Sequence, residues 1–296
     1  MQFLAYILIY PLLWIISILP FKVLYFISDI LYFLVYYVIG YRKKTVMYNL
    51  RLVFPDKTEK ERITISKKFF HHLCDMILES IKSLTISEKE MKKHFTFTNV
   101  ELIQELEKTD KNIALMCAHY ANFEWIFILQ TYVKRKGYGV YKRLTNKYFD
   151  ALVKRIRARY NSYLITTKET IPTLLESKKT GELSISGFVS DQSPKAKKAF
   201  HWNDFMGIKV PVHTGAEMLA KRLDMSVVFF GVKKIKRGYY ETSFKTLAIN
   251  ANDYKDYEIT DMFLKLVEEQ ILEAPEYYLW THKRWKHKDK VPAKYK

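Results

Sequence analysis

Ile113-Ala114-Leu115-Met116-Cys117-Ala118-His119-Tyr120-Ala121-Asn122-Phe123-Glu124-Trp125 decides how the rest of the chain is read. Its first five residues form a short apolar run, the pattern of a buried strand. Asn122 then reads as an N-cap, and Trp125-Ile126-Phe127-Ile128-Leu129 as the opening of a helix running to Lys134. His119 therefore falls at a strand-to-helix turn and Glu124 in the first helical turn. Along one continuous helix, five steps rotate about 500° and leave the two side chains some 140° apart. With His119 ahead of the helix, the loop can swing its imidazole back onto the Glu124 carboxylate. A carboxylate that holds one imidazole nitrogen leaves the other as a general base. In the structural alternative, His119 is a satisfied turn histidine and Glu124 faces the helix dipole.

No Ser or Cys stands where this histidine could activate it. Cys117 lies two residues back on the strand, with side chains roughly 7 Å apart, too far for a thiolate–imidazole pair. A base without a protein nucleophile points to a nucleophile on the substrate, a hydroxyl.

Outward from this stretch, strands and helices alternate. Thr58 to Ser83 reads as one long helix, with Thr58 and Glu61 in capping-box spacing. Glu101–Glu107, Lys147–Arg159, Thr214–Arg222 and Asp261–Glu273 read as further helices. Gly139–Lys142, Leu183–Phe188, Ser226–Val232 and Tyr239–Lys245 read as strands, the last antiparallel after the Arg237-Gly238 turn. This predicts an α/β fold: a central, mostly parallel mixed sheet flanked by helices. His71, Asp75 and Glu79 recur every four residues of the long helix and share a face. Their spacing does not reproduce the H-E-x-x-H zinc motif, so a polar face or supporting role is expected, and no metal.

The chain has 296 residues, enough for one packed α/β domain with an appendage. Lys22 and Asp29 are the only charges in the first forty. Phe3 to Phe21, interrupted by Pro11, would extend about 28 Å as a helix, enough to cross a bilayer core. Val23 to Ile39 is a second span or an interfacial helix. With no basic segment ahead and no small-residue cleavage site behind, the stretch reads as a retained anchor. Residues 1–40 are thus a membrane anchor and 41–296 the catalytic domain. Arg42-Lys43-Lys44 follow at once and place that domain on the cytosolic side. Cys74 and Cys117 give no disulfide framework. Forty-nine Lys and Arg against thirty-one Asp and Glu leave a net charge of +18. The basic runs are Lys142 to Arg159, Lys195 to Lys198 and Lys283 to Lys296. No nucleic-acid-binding motif accompanies them, and an apolar N-terminus with 22 Tyr and 19 Phe in the chain suits anionic lipid headgroups instead.

Several ordered blocks carry a family resemblance. They are Tyr41-Arg42-Lys43-Lys44 with Asn49-Leu50-Arg51-Leu52-Val53-Phe54-Pro55, His119 to Glu124, and Val140-Tyr141-Lys142-Arg143-Leu144-Thr145-Asn146. Downstream come Arg157 and Arg159, Ser190-Asp191-Gln192-Ser193-Pro194, Pro211-Val212-His213-Thr214-Gly215, and Ala274 to Lys286. Together they resemble the lipid A biosynthesis lauroyl/myristoyl acyltransferases of the glycerolipid acyltransferase superfamily. Lys142 and Arg143 depart from that pattern, which usually has Arg and Pro there. The resemblance implies transfer of a fatty acyl chain from acyl carrier protein to a hydroxyl of a phosphorylated glycolipid, a lipid A precursor, at the bacterial inner membrane. It implies His119 and Glu124 as the catalytic pair, with Lys142, Arg143, Asn146, Arg159, Asp191, Gln192 and Thr214 as substrate contacts. Arg159 is preferred over Arg157, since residues two apart on a helix cannot both face the site. Oxyanion donors would come from the backbone N–H groups after Asn122, or from Lys142, Arg143 or Arg159. The acyl thioester is a co-substrate, and no cofactor is expected. An enzyme acting on another lysolipid, amino-acid lipid or glycolipid, and a non-catalytic basic membrane protein, are the alternatives.

Overall fold

The computed structural model describes residues 2–295. Its strands are β1 (Phe95–Phe97), β2 (Ile113–Cys117), β3 (Lys136–Tyr141), β4 (Ser162–Thr166), β5 (Ser184–Val189), β6 (His201–Phe205), β7 (Ile208–Val212), β8 (Ser226–Lys236) and β9 (Tyr239–Ala248). The helices are α1 (Gln2–Ile18), α2 (Phe21–Phe33), α3 (Lys43–Val53), α4 (Glu59–Lys82), α5 (Glu88–His94), α6 (Glu101–Leu106), α7 (Lys147–Arg157), α8 (Thr170–Thr180), α9 (Gly215–Leu223) and α10 (Glu258–Glu273). Seven strands form one sheet in the order β1-β9-β8-β2-β5-β3-β4, and β6 and β7 form a separate antiparallel hairpin. Within the sheet only β8 and β9 pair antiparallel. The α/β sheet flanked by helices is as the alternation predicts.

β2 lies near the middle of the sheet, hydrogen-bonded to β5 on one side and β8 on the other. All five of its residues are buried. That explains the continuous apolar run, because a parallel strand covered on both faces has no solvent side to alternate with. α4 starts at the expected capping box: Thr58 Oγ1 accepts from Glu61 N, and Glu61 Oε2 accepts from Thr58 N at 2.7 Å.

The N-terminus divides differently from the sequence reading. Helix α1 runs through Pro11, and the chain turns at Leu19-Pro20, so no helix spans Phe3 to Phe21. Among the described residues, only Phe21–Ile39 is long and apolar enough to cross a membrane, by length and composition; its last six residues, Leu34–Ile39, wind as a π-helix. Residues 1–40 are not detached from the rest. The carbonyls of Ser17 in the last turn of α1 and of Leu19 just beyond it accept from Lys82 Nζ at 2.8 and 2.7 Å, a cation where the helix dipole favours one. Helix α2 runs antiparallel to α4, joined by Ser28 Oγ to Asp75 at 2.7 Å and Tyr25 OH to Glu79 at 2.9 Å. Away from α4, α1 exposes Phe3, Leu8 and Leu12, α2 exposes Phe26 and Phe33, and the π-helix exposes Val38.

Candidate active site

Parallel, in-register pairing of β2 with β5 sets Cys117 opposite Val189. The chain leaves both strands at the same edge, where Ser190 N donates to Cys117 O at 3.1 Å. Residues just past the carboxyl ends of neighbouring parallel strands converge, the usual place for a site in an open α/β sheet. His119 follows β2 by two residues and Asp191 follows β5 by two. The imidazole Nδ1 lies 2.7 Å from Asp191 Oδ1. Asp191 is 1% exposed, whereas the His119 side chain keeps 22%. The carboxylate is thus locked away and the imidazole reaches the opening.

Burial alone would pull the His119 pKa down, but the Asp191 charge and hydrogen bond, with a smaller effect of the Glu124 charge, hold it above the ordinary histidine value. Burial pushes Asp191 up, and its interactions with His119 overcome this and keep the carboxyl below its usual range. Each partner therefore favours the charged form of the other. Nδ1–H donating to Asp191 leaves Nε2 with its lone pair toward the opening. Gln192 Nε2 lies 3.3 Å from that nitrogen, and the Phe123 ring packs edge-on against the imidazole at 5.1 Å.

Glu124 does not orient His119 by a hydrogen bond. His119 does precede the helical segment, as the spacing argument requires, but the loop delivers it to Asp191. Phe123–Thr131 forms 3-10 turns in place of the expected α-helix to Lys134, and the Asn122 side chain does not cap it. Instead Asn122 Nδ2 donates to Glu79 Oε2 at 2.7 Å. Glu124 is drawn to the Arg157 guanidinium of α7, forming an ion pair with it.

The two arginines of the α7 region are positioned the other way round from the expectation that Arg159 faces the site. Arg159 donates to the carbonyls of Ser83, Leu84 and Ile86 at 2.9, 3.3 and 2.8 Å, tying down the end of α4. Arg157 lines the site cavity, stacked over Phe127 at 5.1 Å. Helical spacing carries the missed signal: Asp150, Val153 and Arg157 share one face, and Asp150 is buried. Asn146 caps α7, accepting from Tyr148 N at 3.0 Å and Phe149 N at 3.4 Å. Arg143 is exposed, 3.9 Å from Glu169, and Lys142 lines the cavity mouth. Thr214 is buried at the N-terminus of α9 without a side-chain cap bond.

Behind His119 lies a cavity of about 510 Å³, within the range of pockets that enclose a small ligand. Leu115 and Cys117 of β2, Ile185, Gly187 and Val189 of β5, Gly139 of β3, Phe127 and Val153 are among its walls. Burial pushes the Cys117 thiol well up, so it is a wall and no nucleophile. Gly139 and Gly187 are register partners. A Cβ on Gly187 would find its nearest neighbour, the Tyr138 carbonyl, 3.7 Å away, an ordinary van der Waals contact, so a side chain there is sterically tolerated at the cavity wall.

The C-terminal block supports the turn from the other side. Leu279 N donates to His119 O at 3.1 Å, and Ala121 N to Tyr277 O at 3.0 Å. Asn49 of α3 donates to the carbonyls of Trp280 and His282 at 2.8 and 2.9 Å. Ser193 N donates to His282 Nε2 at 3.3 Å, an acceptor available because burial, then the Lys286 charge, depresses that imidazole to about 4. Three blocks far apart in sequence thus brace one turn.

Residues 1–287 match the family described as bacterial lipid A biosynthesis acyltransferase. The chain is 25% identical over 285 residues to the lipid A biosynthesis lauroyltransferase of Escherichia coli (strain K12), covering 96% of this chain and 92% of that one. It is 24% identical over 234 residues to a lipid A biosynthesis acyltransferase of Haemophilus influenzae, covering 78% and 72%. Against the lipid A biosynthesis palmitoleoyltransferase of Escherichia coli (strain K12), identity is 20% over 280 residues, with 93% and 88% covered.

Proposed function

This chain belongs to the bacterial lipid A biosynthesis acyltransferase family, and from that premise we propose that it is a membrane-anchored O-acyltransferase moving a fatty acyl chain from acyl carrier protein to a hydroxyl of a lipid A precursor. The observation that carries the proposal is an imidazole held by a buried carboxylate at the mouth of a largely apolar cavity, with no protein nucleophile beside it.

The acyl chain lies in the cavity and its thioester carbonyl at the mouth, beside His119. Nε2 removes the proton from the acceptor hydroxyl while Nδ1–H stays on Asp191. The oxygen attacks the carbonyl, a C–O bond forms, and charge collects on the carbonyl oxygen. On this reading the donors that receive it are the Arg157 guanidinium and Lys142 Nζ, which line the cavity, with the Gln192 amide, 3.3 Å from Nε2, turning from the imidazole to the oxyanion as the proton arrives. The C–S bond then breaks, and the imidazolium returns its proton to the departing carrier thiolate. Glu124 steadies the imidazolium by charge and holds Arg157 at the mouth. The acceptor is the hydroxyl of a β-hydroxyacyl chain on a phosphorylated glucosamine disaccharide, and Arg143 and Lys142 offer its phosphates cations. Exposed Lys195, Lys197, Lys198, Lys283 and Lys286 follow Gln192 and His282 along the chain, and form a basic rim for the acidic carrier protein. The outward apolar faces of α1 and α2 hold the enzyme on the cytosolic face of the inner membrane.

Purified full-length protein, acyl-loaded carrier protein and the phosphorylated acceptor in detergent provide the test. Mass spectrometry should find an acceptor heavier by one acyl group, with a rate that falls as salt rises. No acylated product with intact substrates recovered refutes the proposal. A deletion strain losing an acyl chain from another lipid would transfer the enzyme to that acceptor.

A further inference from the structure

The acidic face of α4 does more than pack. Glu79 is fully buried and accepts three side-chain donors from three parts of the fold. Tyr25 OH of α2 lies 2.9 Å from Oε1. Tyr240 OH of β9 and Asn122 Nδ2 lie 2.8 and 2.7 Å from Oε2. Asn122 is fully buried and closes the turn that carries His119. Ala121, between them, holds φ at +47°, a left-handed conformation that costs a residue with a side chain about 1 kcal/mol or more and persists only under outside restraint. The C-terminal segment restrains one side of this turn, and Glu79 restrains the other.

We propose that Glu79 is a positioning residue for His119, and that Tyr25 on the N-terminal helix α2 completes it, so that α2 reaches the catalytic turn through this one hydroxyl. Glu79 fixes Asn122, Asn122 fixes the strained turn, and the turn fixes the imidazole relative to Asp191 and the cavity mouth. Displacement of about 1 Å at a reacting group can cost ~10²-fold in rate. A carboxylate anchored from three directions suppresses that drift. Ser28 provides an internal control. It ties the same helix to α4, but through Asp75 rather than Glu79.

The inference rests on the acyl transfer proposed above, and the test separates the two. Full-length protein in detergent is assayed as wild type, Tyr25→Phe, Ser28→Ala, Asn122→Ala and the Tyr25→Phe/Asn122→Ala double variant. Turnover by wild type establishes the reaction independently of the variants. Tyr25→Phe should lower kcat at least severalfold with both KM values unchanged, and should shift the His119 ring resonances in an NMR spectrum, a readout that needs no substrate. Ser28→Ala should lower the melting temperature and leave kcat and the resonances alone. In the double variant, Tyr25→Phe should add nothing to Asn122→Ala, since both act on one path. Equal kcat losses from Tyr25→Phe and Ser28→Ala would reduce Glu79 to a helix-docking residue. So would wild-type kcat and unmoved His119 resonances in Tyr25→Phe.

Discussion

Asp191→Asn separates the carboxylate that holds His119 from the one that only lies near it. Asn keeps the shape and a hydrogen-bonding oxygen but removes the charge at 2.7 Å from Nδ1. A hydrogen bond to a charged partner contributes about 1.5–3 kcal/mol, which at about 1.4 kcal/mol per decade is roughly 10- to 150-fold in kcat. The amide can also present its N–H and select the wrong imidazole tautomer, which in a serine-protease triad takes the loss to about 10⁴. The pH profile gives a second reading. His119 is a base only when neutral, and its pKa lies above the ordinary value because of Asp191, against burial. In the wild type, kcat should therefore rise with pH with its midpoint above about 6.5. In Asp191→Asn the raising charge is gone, burial prevails, and the midpoint should fall. Glu124→Gln should lower kcat as well, through the release of Arg157, but should move the midpoint less because Glu124 makes no hydrogen bond to the ring. Steady-state kinetics from about pH 5 to 9 at saturating substrates measures both quantities. Near-normal kcat in Asp191→Asn, or a larger midpoint shift in Glu124→Gln, would return the orienting role to Glu124.

Three further outcomes follow from the geometry. Gly187→Leu should extend a side chain into the cavity and shift donor preference toward shorter acyl chains, measured by competition between carrier-bound thioesters of different length; an unchanged preference would place the acyl chain elsewhere. Arg157→Lys should lower kcat/KM because the planar fork facing Glu124 and the mouth is lost, whereas Arg159→Lys should cost about 1 kcal/mol of stability at the end of α4 with kcat retained; kinetics and melting curves on the two variants should show opposite patterns. Removing residues 1–40 should leave Asp75 and Glu79 with fewer partners and lower the melting temperature of the remainder, so a truncated protein as stable as the full chain would count against the packing of α2 on α4.

What could be read from the sequence follows physical range. β2 is legible because a parallel strand buried on both faces tends toward a continuous apolar run, and all five of its residues are buried. The α4 cap was legible because its two partners lie three residues apart. β4 is only five residues long and sits at the sheet edge, and the β6–β7 hairpin carries Asn203, Asp204, Lys209 and Pro211; none shows the apolar run by which the central strands were found. The hydrogen-bond partner of His119 is hidden in the sequence for a related reason. Spacing arguments weigh residues a few positions apart, and Glu124 was the nearest acid. Asp191 lies 72 positions away and is adjacent only because β5 pairs with β2. The Asp191 block stands out in the sequence as a substrate contact, but strand register, which decides what it meets, is not written there. Nor does spacing alone say which face of α7 meets the cavity, the fact that separates Arg157 from Arg159.

The pairing of β2 with β5 also makes the reactive pair a gauge of strand register. Successive residues in a parallel strand advance about 3.3 Å and alternate faces. A slip of β5 by one residue would turn Gly187 out of the cavity and put a side chain in its place. A slip of two would restore the faces but carry Asp191 some 6.6 Å along the sheet, beyond hydrogen-bonding reach of the imidazole. Between Cys117 and Ser184 the chain must also complete β3, α7, β4 and α8 before β5 can enter beside β2. Such long-range parallel pairing forms slowly. A misthreaded or half-folded chain can hold an apolar hollow and a histidine, but it lacks the carboxylate that sets the tautomer. On the acyl transfer proposed above, reactivity toward a thioester begins only once the sheet is correctly laid.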